Sequence, residues 1–161
     1  MSEIPNQRRI LVIDDNPEIH NDFRKIFGAT AVVAAELRHV EATLFETAPA
    51  AVQAFLFQLD FASQGAEGLE MIRRAATEGR PYAVAFVDSR MPPGWDGVET
   101  ITHLWQELSD LQIVFTTAYS DYSCEDLLGR FGHTDRLVVL KKPFDNIEVL
   151  QLAHTLTEKW L

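Results

Sequence analysis

Apolar residues along this chain fall into short unbroken runs that alternate with amphipathic stretches. Ile10–Ile13 (ILVI) is too short for a helix and has no polar alternation, so it predicts a strand buried on both faces. Ala54–Ala62, Ala83–Val87, Leu111–Phe115 and Leu137–Leu140 predict four more strands. Between the runs the apolar spacing turns helical. Asp15-Asn16-Pro17 offers a capping side chain and a first-turn proline, and Ile19, Phe23, Ile26 and Phe27 follow on one face up to a stop at Gly28. Gly65–Glu78 predicts a helix that buries Leu69, Ile72 and Ala76. Asp96 and Glu99 make a capping-box pair ahead of Val98, Ile101, Trp105 and Leu108. Ser123 and Asp126 start a short helix that should stop at Gly132, and Asp145 and Glu148 open a last one carrying Val149, Leu152, Leu156 and Trp160.

Five strand–helix units in strict alternation predict an α/β fold, a parallel sheet with helices on both faces. Thr30–Pro49 breaks the alternation. Its Val33, Leu37, Val40 and Leu44 share one helical face, which predicts an inserted amphipathic helix over about residues 30–50. That stripe reads as a packing face rather than a filler for a partner's groove.

With 161 residues the chain is expected to form one domain over 1–161. The 14 Lys and Arg against 24 Asp and Glu give a net charge of −10, which argues against phosphate-backbone binding and hence against nucleic acid as a partner. A basic membrane-surface role is disfavoured for the same reason. Apolar runs stay short of the roughly 18 residues a bilayer span needs, and Met1–Arg9 lacks the apolar centre of a signal peptide. A single cysteine, Cys124, cannot form an internal disulfide, so a cytoplasmic location is the simple expectation.

Chemistry in open α/β sheets gathers at the carboxyl ends of the strands. Here those ends carry Asp14-Asp15, Asp88, Thr116-Thr117 and Lys142. Carboxylates meeting at one edge repel each other unless a cation sits among them. A small all-oxygen site suits Mg²⁺, which is also the usual companion of phosphoryl transfer. Taken singly each piece has a plain structural reading: a helix cap, a strand-end turn, β-branched strand residues, a solvated lysine. Their placement at successive strand ends is what those readings leave unexplained. The five histidines show no ligand spacing and read as surface or core residues, and no Gly-rich phosphate loop is present.

The acidic pair in LVIDDNP, the aspartate in FVDSRMPPGWDG, the hydroxyl in FTTA and the lysine in LKKPF, in this order, resemble the receiver domain of two-component response regulators. The resemblance covers essentially the whole chain. It implies a doubly wound, flavodoxin-like (βα)5 fold with strand order 2-1-3-4-5. Asp88 then resembles the phosphoacceptor, Asp15 the direct Mg²⁺ ligand and Asp14 the water-mediated one, with the Arg90 backbone carbonyl as a further ligand. Thr117 matches the switch hydroxyl and Lys142 the lysine that pairs with the phosphoryl group; Lys142-Pro143 is expected to be cis. The implied donor is a sensor histidine kinase or a histidine phosphotransfer protein, and the implied product an acyl phosphate that switches a partner-binding surface, with only slow self-phosphorylation and hydrolysis.

Several features depart from the receiver pattern. The loop after Asp88 is longer than the common form and carries Pro92-Pro93 and Trp95, and Arg90 stands two residues after the acceptor. Val139 occupies the place three residues before the lysine where many receivers have an aromatic, so Tyr119 or Tyr122 are substitutes to consider for a moving aromatic switch. RMPPGWDGVETI, TAYSDYS and LKKPFDNIEVLQLA resemble a receiver subfamily often joined to histidine kinases or cyclic-di-nucleotide signalling domains. The chain is therefore expected to be the amino-terminal piece of a longer protein, a stand-alone regulator being the other option. By analogy, residues 123–160 are the expected surface for a homodimer. The rival function is a Mg²⁺-dependent aspartyl-phosphate phosphatase or phosphotransferase. Dehalogenase-type enzymes of that kind use a second Asp two residues after the nucleophile, and that residue here is Arg90.

Overall fold

The aliphatic runs become the strands of one sheet in the computed structural model, which describes residues 8–28, 57–118, 124–132 and 134–160. In chain order the elements are β1 (Arg8–Ile13), α1 (17–28), β2 (Phe57–Ala62), α2 (Gly65–Thr77), β3 (Val84–Asp88), α3 (Gly97–Glu107), β4 (Gln112–Thr117), α4 (Cys124–Phe131), β5 (Leu137–Lys141) and α5 (Asn146–Trp160). All neighbouring strands pair in parallel, in the order β2-β1-β3-β4-β5. The parallel sheet is what the residue pattern predicts, and its strand order is the one that the resemblance to receiver domains implies.

Burial explains the order. Every residue of β3 and β4 is buried, and β1 is buried but for a half-exposed Arg9, so these unbroken runs take the centre. β2 and β5, with half-buried and polar positions, form the edges. Side chains alternate between two cores. Leu11, Ile13, Ala85, Val87, Ile113 and Phe115 pack against Leu69 and Ile72 of α2, Ile101 and Leu104 of α3 and Leu127 of α4. On the opposite face Ile10, Val12, Val84, Phe86 and Val114 meet Phe23, Ile26 and Phe27 of α1 and Val149, Ala153 and Leu156 of α5.

Three helical faces differ from the expected ones. α2 buries Ala75 rather than Ala76, because Gly65, Gly68, Leu69 and Ile72 set a face that reaches position 75 one turn on. In α3 Leu104 is fully buried, along with Ile101, whereas Trp105 stays partly exposed and its indole N–H donates to the Leu111 carbonyl at 2.9 Å. α5 likewise buries Ala153 and Thr157 along with Val149 and Leu156, and Leu152 only in part. The caps match expectation: Asn16 Oδ1 accepts from Glu18 N, Asp96 Oδ1 from Glu99 N, and Glu148 Oε1 from Asp145 N. Gly132 closes α4 with a φ of 69°, a left-handed conformation that a side chain resists. The inserted segment at 30–50, Tyr119, Tyr122 and Ser123 lie outside the described residues. No described helix is long and apolar enough to cross a membrane.

Candidate functional site

Parallel register brings the carboxyl ends of the central strands to one edge. Asp14 and Asp15 follow β1, Asp88 ends β3, Thr116 and Thr117 end β4, and Lys142 follows β5. Asp88 pairs in register with Thr116, and Thr117 with Lys141, so Asp88, the two threonines and the lysine segment stand at the ends of three adjacent strands. Lys142 Nζ donates to Asp14 Oδ2 and to Asp88 Oδ1, both at 3.0 Å. Asp14 and Asp88 are buried, Asp15 is exposed, and each of the three offers an oxygen within 4.8 Å of the others.

Electrostatics make this cluster unbalanced. Burial, then the nearby Asp14 charge, push the Asp88 carboxyl from an ordinary 3.8 up to about 6, even though Lys142 pulls the other way. Burial weighs against the Lys142 ammonium, but Asp14 and Asp88 outweigh it and hold its pKa above the ordinary value. Among the described residues, the ammonium that is hydrogen-bonded into this group of three carboxylates is that of Lys142. Three hard oxygens, one of them open to solvent, are the donor set of a divalent cation such as Mg²⁺, so the residues present fit that ion.

Backbone contacts set the aim of Asp88. Ser89 N–H donates to Asp88 Oδ1 at 2.9 Å and also to the Thr116 carbonyl at 2.9 Å, fixing the strand end against β4. The loop that follows is anchored by Met91, which is 1% exposed in the α2–α3 core, and by Gly97 N–H donating to the Ser89 carbonyl at 2.9 Å. A Cβ at Gly97 would lie 2.4 Å from the Asp88 carbonyl oxygen and 2.9 Å from Ser89 Cα, so only glycine admits this approach. Trp95 is half-buried and stacks on His103 with ring centroids 4.0 Å apart, which makes Trp95-Asp96-Gly97 a turn and helix start, as its composition indicates.

Thr116 Oγ1 donates to the Val87 carbonyl at 3.3 Å, whereas Thr117, 1% exposed, donates to the Ala118 carbonyl at 3.1 Å just past the strand. Thr117 O in turn accepts from Lys142 N at 2.9 Å, tying hydroxyl and lysine segments together. Arg90 is exposed in the loop next to Asp88, and Val139 is half-buried against the α2–α3 core. Lys142-Pro143 is cis, as expected, and so is Pro92-Pro93. Pattern reading overlooked His20. It is 8% exposed, and its Nε2 lies 2.7 Å from the Asp14 carbonyl oxygen. The available signal was a lone polar residue on the inward face that carries Phe23 and Phe27.

No family model and no curated protein matches the chain. Solved structures do. A response regulator receiver domain protein (CheY-like) from Methanospirillum hungatei JF-1 is 17% identical, with 96% of each chain covered and a TM-score of 0.64. A sensor protein from Polaromonas sp. JS666 is 23% identical over 96% of this chain and 98% of that one, also at 0.64. A structure described as adenylate cyclase from Rhodopirellula baltica is 18% identical over 96% and 90%, at 0.66. These likenesses show that the chain has the fold of response-regulator receiver domains.

Proposed function

We propose that this domain, spanning 1–161, is a phosphorelay receiver that takes a phosphoryl group onto Asp88 from a phosphohistidine donor. The observation that carries the reading is Lys142 Nζ held 3.0 Å from both Asp14 and Asp88 beside the open carboxylate of Asp15. A carboxylate is a weak nucleophile and needs an activated donor. An Asp88 oxygen forms the new bond to phosphorus, the P–N bond of the donor breaks, and its electron pair returns to the imidazole. Lys142 sits where it can exchange a carboxylate partner for the phosphoryl oxygens, and Thr117 supplies a hydroxyl at the adjacent strand end. Asp14, Asp15 and Asp88, with the Arg90 carbonyl, would hold Mg²⁺, which supplies positive charge against the transferring oxygens.

The product adds a dianionic group at an edge where two hydroxyls and an ammonium can regroup, which is the physical basis of a switch rather than of turnover. The donor is a sensor histidine kinase or a histidine phosphotransfer protein in the cytoplasm. The output is a fused or separate signalling domain, or a second copy docking through 123–160. The experiment is incubation with Mg²⁺ and acetyl phosphate or beryllofluoride, followed by intact mass and tryptophan fluorescence. One Mg²⁺-dependent adduct, absent from Asp88→Asn, supports the receiver. Sustained multiple-turnover phosphate release supports the phosphatase instead.

A further inference from the structure

We infer that His20 is a positioning residue for the acidic pair, aiming Asp15 through the backbone; this rests on the receiver reading above. A carbonyl oxygen can only accept, so the 2.7 Å contact between His20 Nε2 and the Asp14 carbonyl places the proton on Nε2. The contact is buried, with the imidazole 5.0 Å from the Phe61 ring on β2 and 8% exposed. Asp14 is held at its other end as well, because its N–H donates to the Ala62 carbonyl at 3.0 Å.

The carbonyl that His20 grips belongs to the peptide joining Asp14 to Asp15. A peptide is planar, so fixing where its C=O points also fixes the direction of its N–H and of Asp15 Cα. Asp14 has further restraints on its side chain, from Asn16 N–H at 2.9 Å and from Lys142 at 3.0 Å. Asp15 is the exposed member of the cluster, and its aim comes from that peptide plane. His20 thus links α1 to the β1 end: the helix that covers the sheet also sets the orientation of the exposed carboxylate. A phenylalanine in its place would fill the space and leave a buried carbonyl without a donor, freeing the peptide to rotate.

The test is calorimetric Mg²⁺ titration of the full chain and of His20→Phe, His20→Gln, Asp88→Asn and Phe23→Leu, each checked for fold by circular dichroism. Wild type binds and Asp88→Asn binds weakly if the receiver reading holds. His20→Phe then loses about tenfold in Mg²⁺ affinity, the low end for residues that orient a ligand without touching the ion. His20→Gln, which can still donate to the carbonyl, recovers most of it. Phe23→Leu lowers the melting temperature but leaves Mg²⁺ affinity unchanged, which separates aiming from packing. Should His20→Phe fail to fold, ¹⁵N imidazole spectra of wild type decide: the protonated Nε2 resonance shifts on Mg²⁺ addition. Wild-type affinity in folded His20→Phe, or an unmoved Nε2 signal, overturns the inference and leaves the receiver reading intact. A wild type that binds no Mg²⁺ sinks the receiver reading, and this inference with it.

Discussion

Asp88→Asn should stabilise the metal-free domain at neutral pH even as it removes the proposed phosphoacceptor. Asp88 is 7% exposed, faces Asp14, Asp15 and Lys142, and has its carboxyl pushed to about 6 from an ordinary 3.8. A folded-state pKa above the unfolded one means the folded protein holds the proton more tightly. Its contribution is fully present below pH 3.8 and is lost as pH rises through about 6. The loss is at most about 3 kcal/mol, a large part of the stability of a small domain. Asparagine cannot ionise, so the variant escapes it. Urea unfolding in EDTA between pH 4.5 and 7.5 measures the effect as the stability of the variant minus that of wild type. The difference should move in favour of the variant across this range by about 1–3 kcal/mol. Mg²⁺ should reverse it, adding about 2.7 kcal/mol to wild type at one hundred times the dissociation constant. A difference that does not change with pH in EDTA would refute the argument that burial and Asp14 strain the Asp88 charge.

Three further outcomes follow from the geometry. Gly97→Ala places a methyl 2.4 Å from the Asp88 carbonyl oxygen, so thermal unfolding should show a loss of about 1–3 kcal/mol and acetyl phosphate labelling should slow. Phe86→Ala removes a ring that is 1% exposed and 5.0 Å from Phe23, and denaturant titration should record about 3–5 kcal/mol of destabilisation with the acidic cluster still able to bind Mg²⁺. Arg90→Ala should change the decay rate of the phosphorylated form, because Arg90 is an exposed cation two residues after Asp88 in the chain; equal hydrolysis rates for variant and wild type would reject that role.

The strands were legible because three of them lie inside the sheet, where a run such as ILVI or IVF admits no polar residue and has no other stable home. Chemistry was legible for a related reason: a parallel sheet puts every strand's carboxyl end at one edge, so Asp14, Asp88 and Lys142 had to converge once the strands were placed. Helical faces were less clear. Ala75 and Ala76 are equally small, and a helix decides between them by a rotation that only its packing against β1 and α3 fixes. Leu104 and Trp105 pose the same choice, resolved by the indole N–H, which keeps Trp105 at the margin where it can reach the Leu111 carbonyl. His20 left one sign, a polar residue on the inward face of α1, and its backbone-carbonyl acceptor adds no residue-type signature to it. Arg8 was illegible for another reason: it is 8% exposed, and Nη1 donates to the side-chain hydroxyl of Thr157 at 3.0 Å, a partner 149 residues away in the chain.

The site of covalent capture is the most direct measurement. Treating the acetyl phosphate-labelled protein with borohydride reduces an acyl phosphate to the alcohol, and tandem mass spectrometry then reads which residue changed. The account predicts homoserine at position 88 alone, formed only when Mg²⁺ was present during labelling. Homoserine at another aspartate, or a labelled protein that borohydride leaves unaltered, would contradict it.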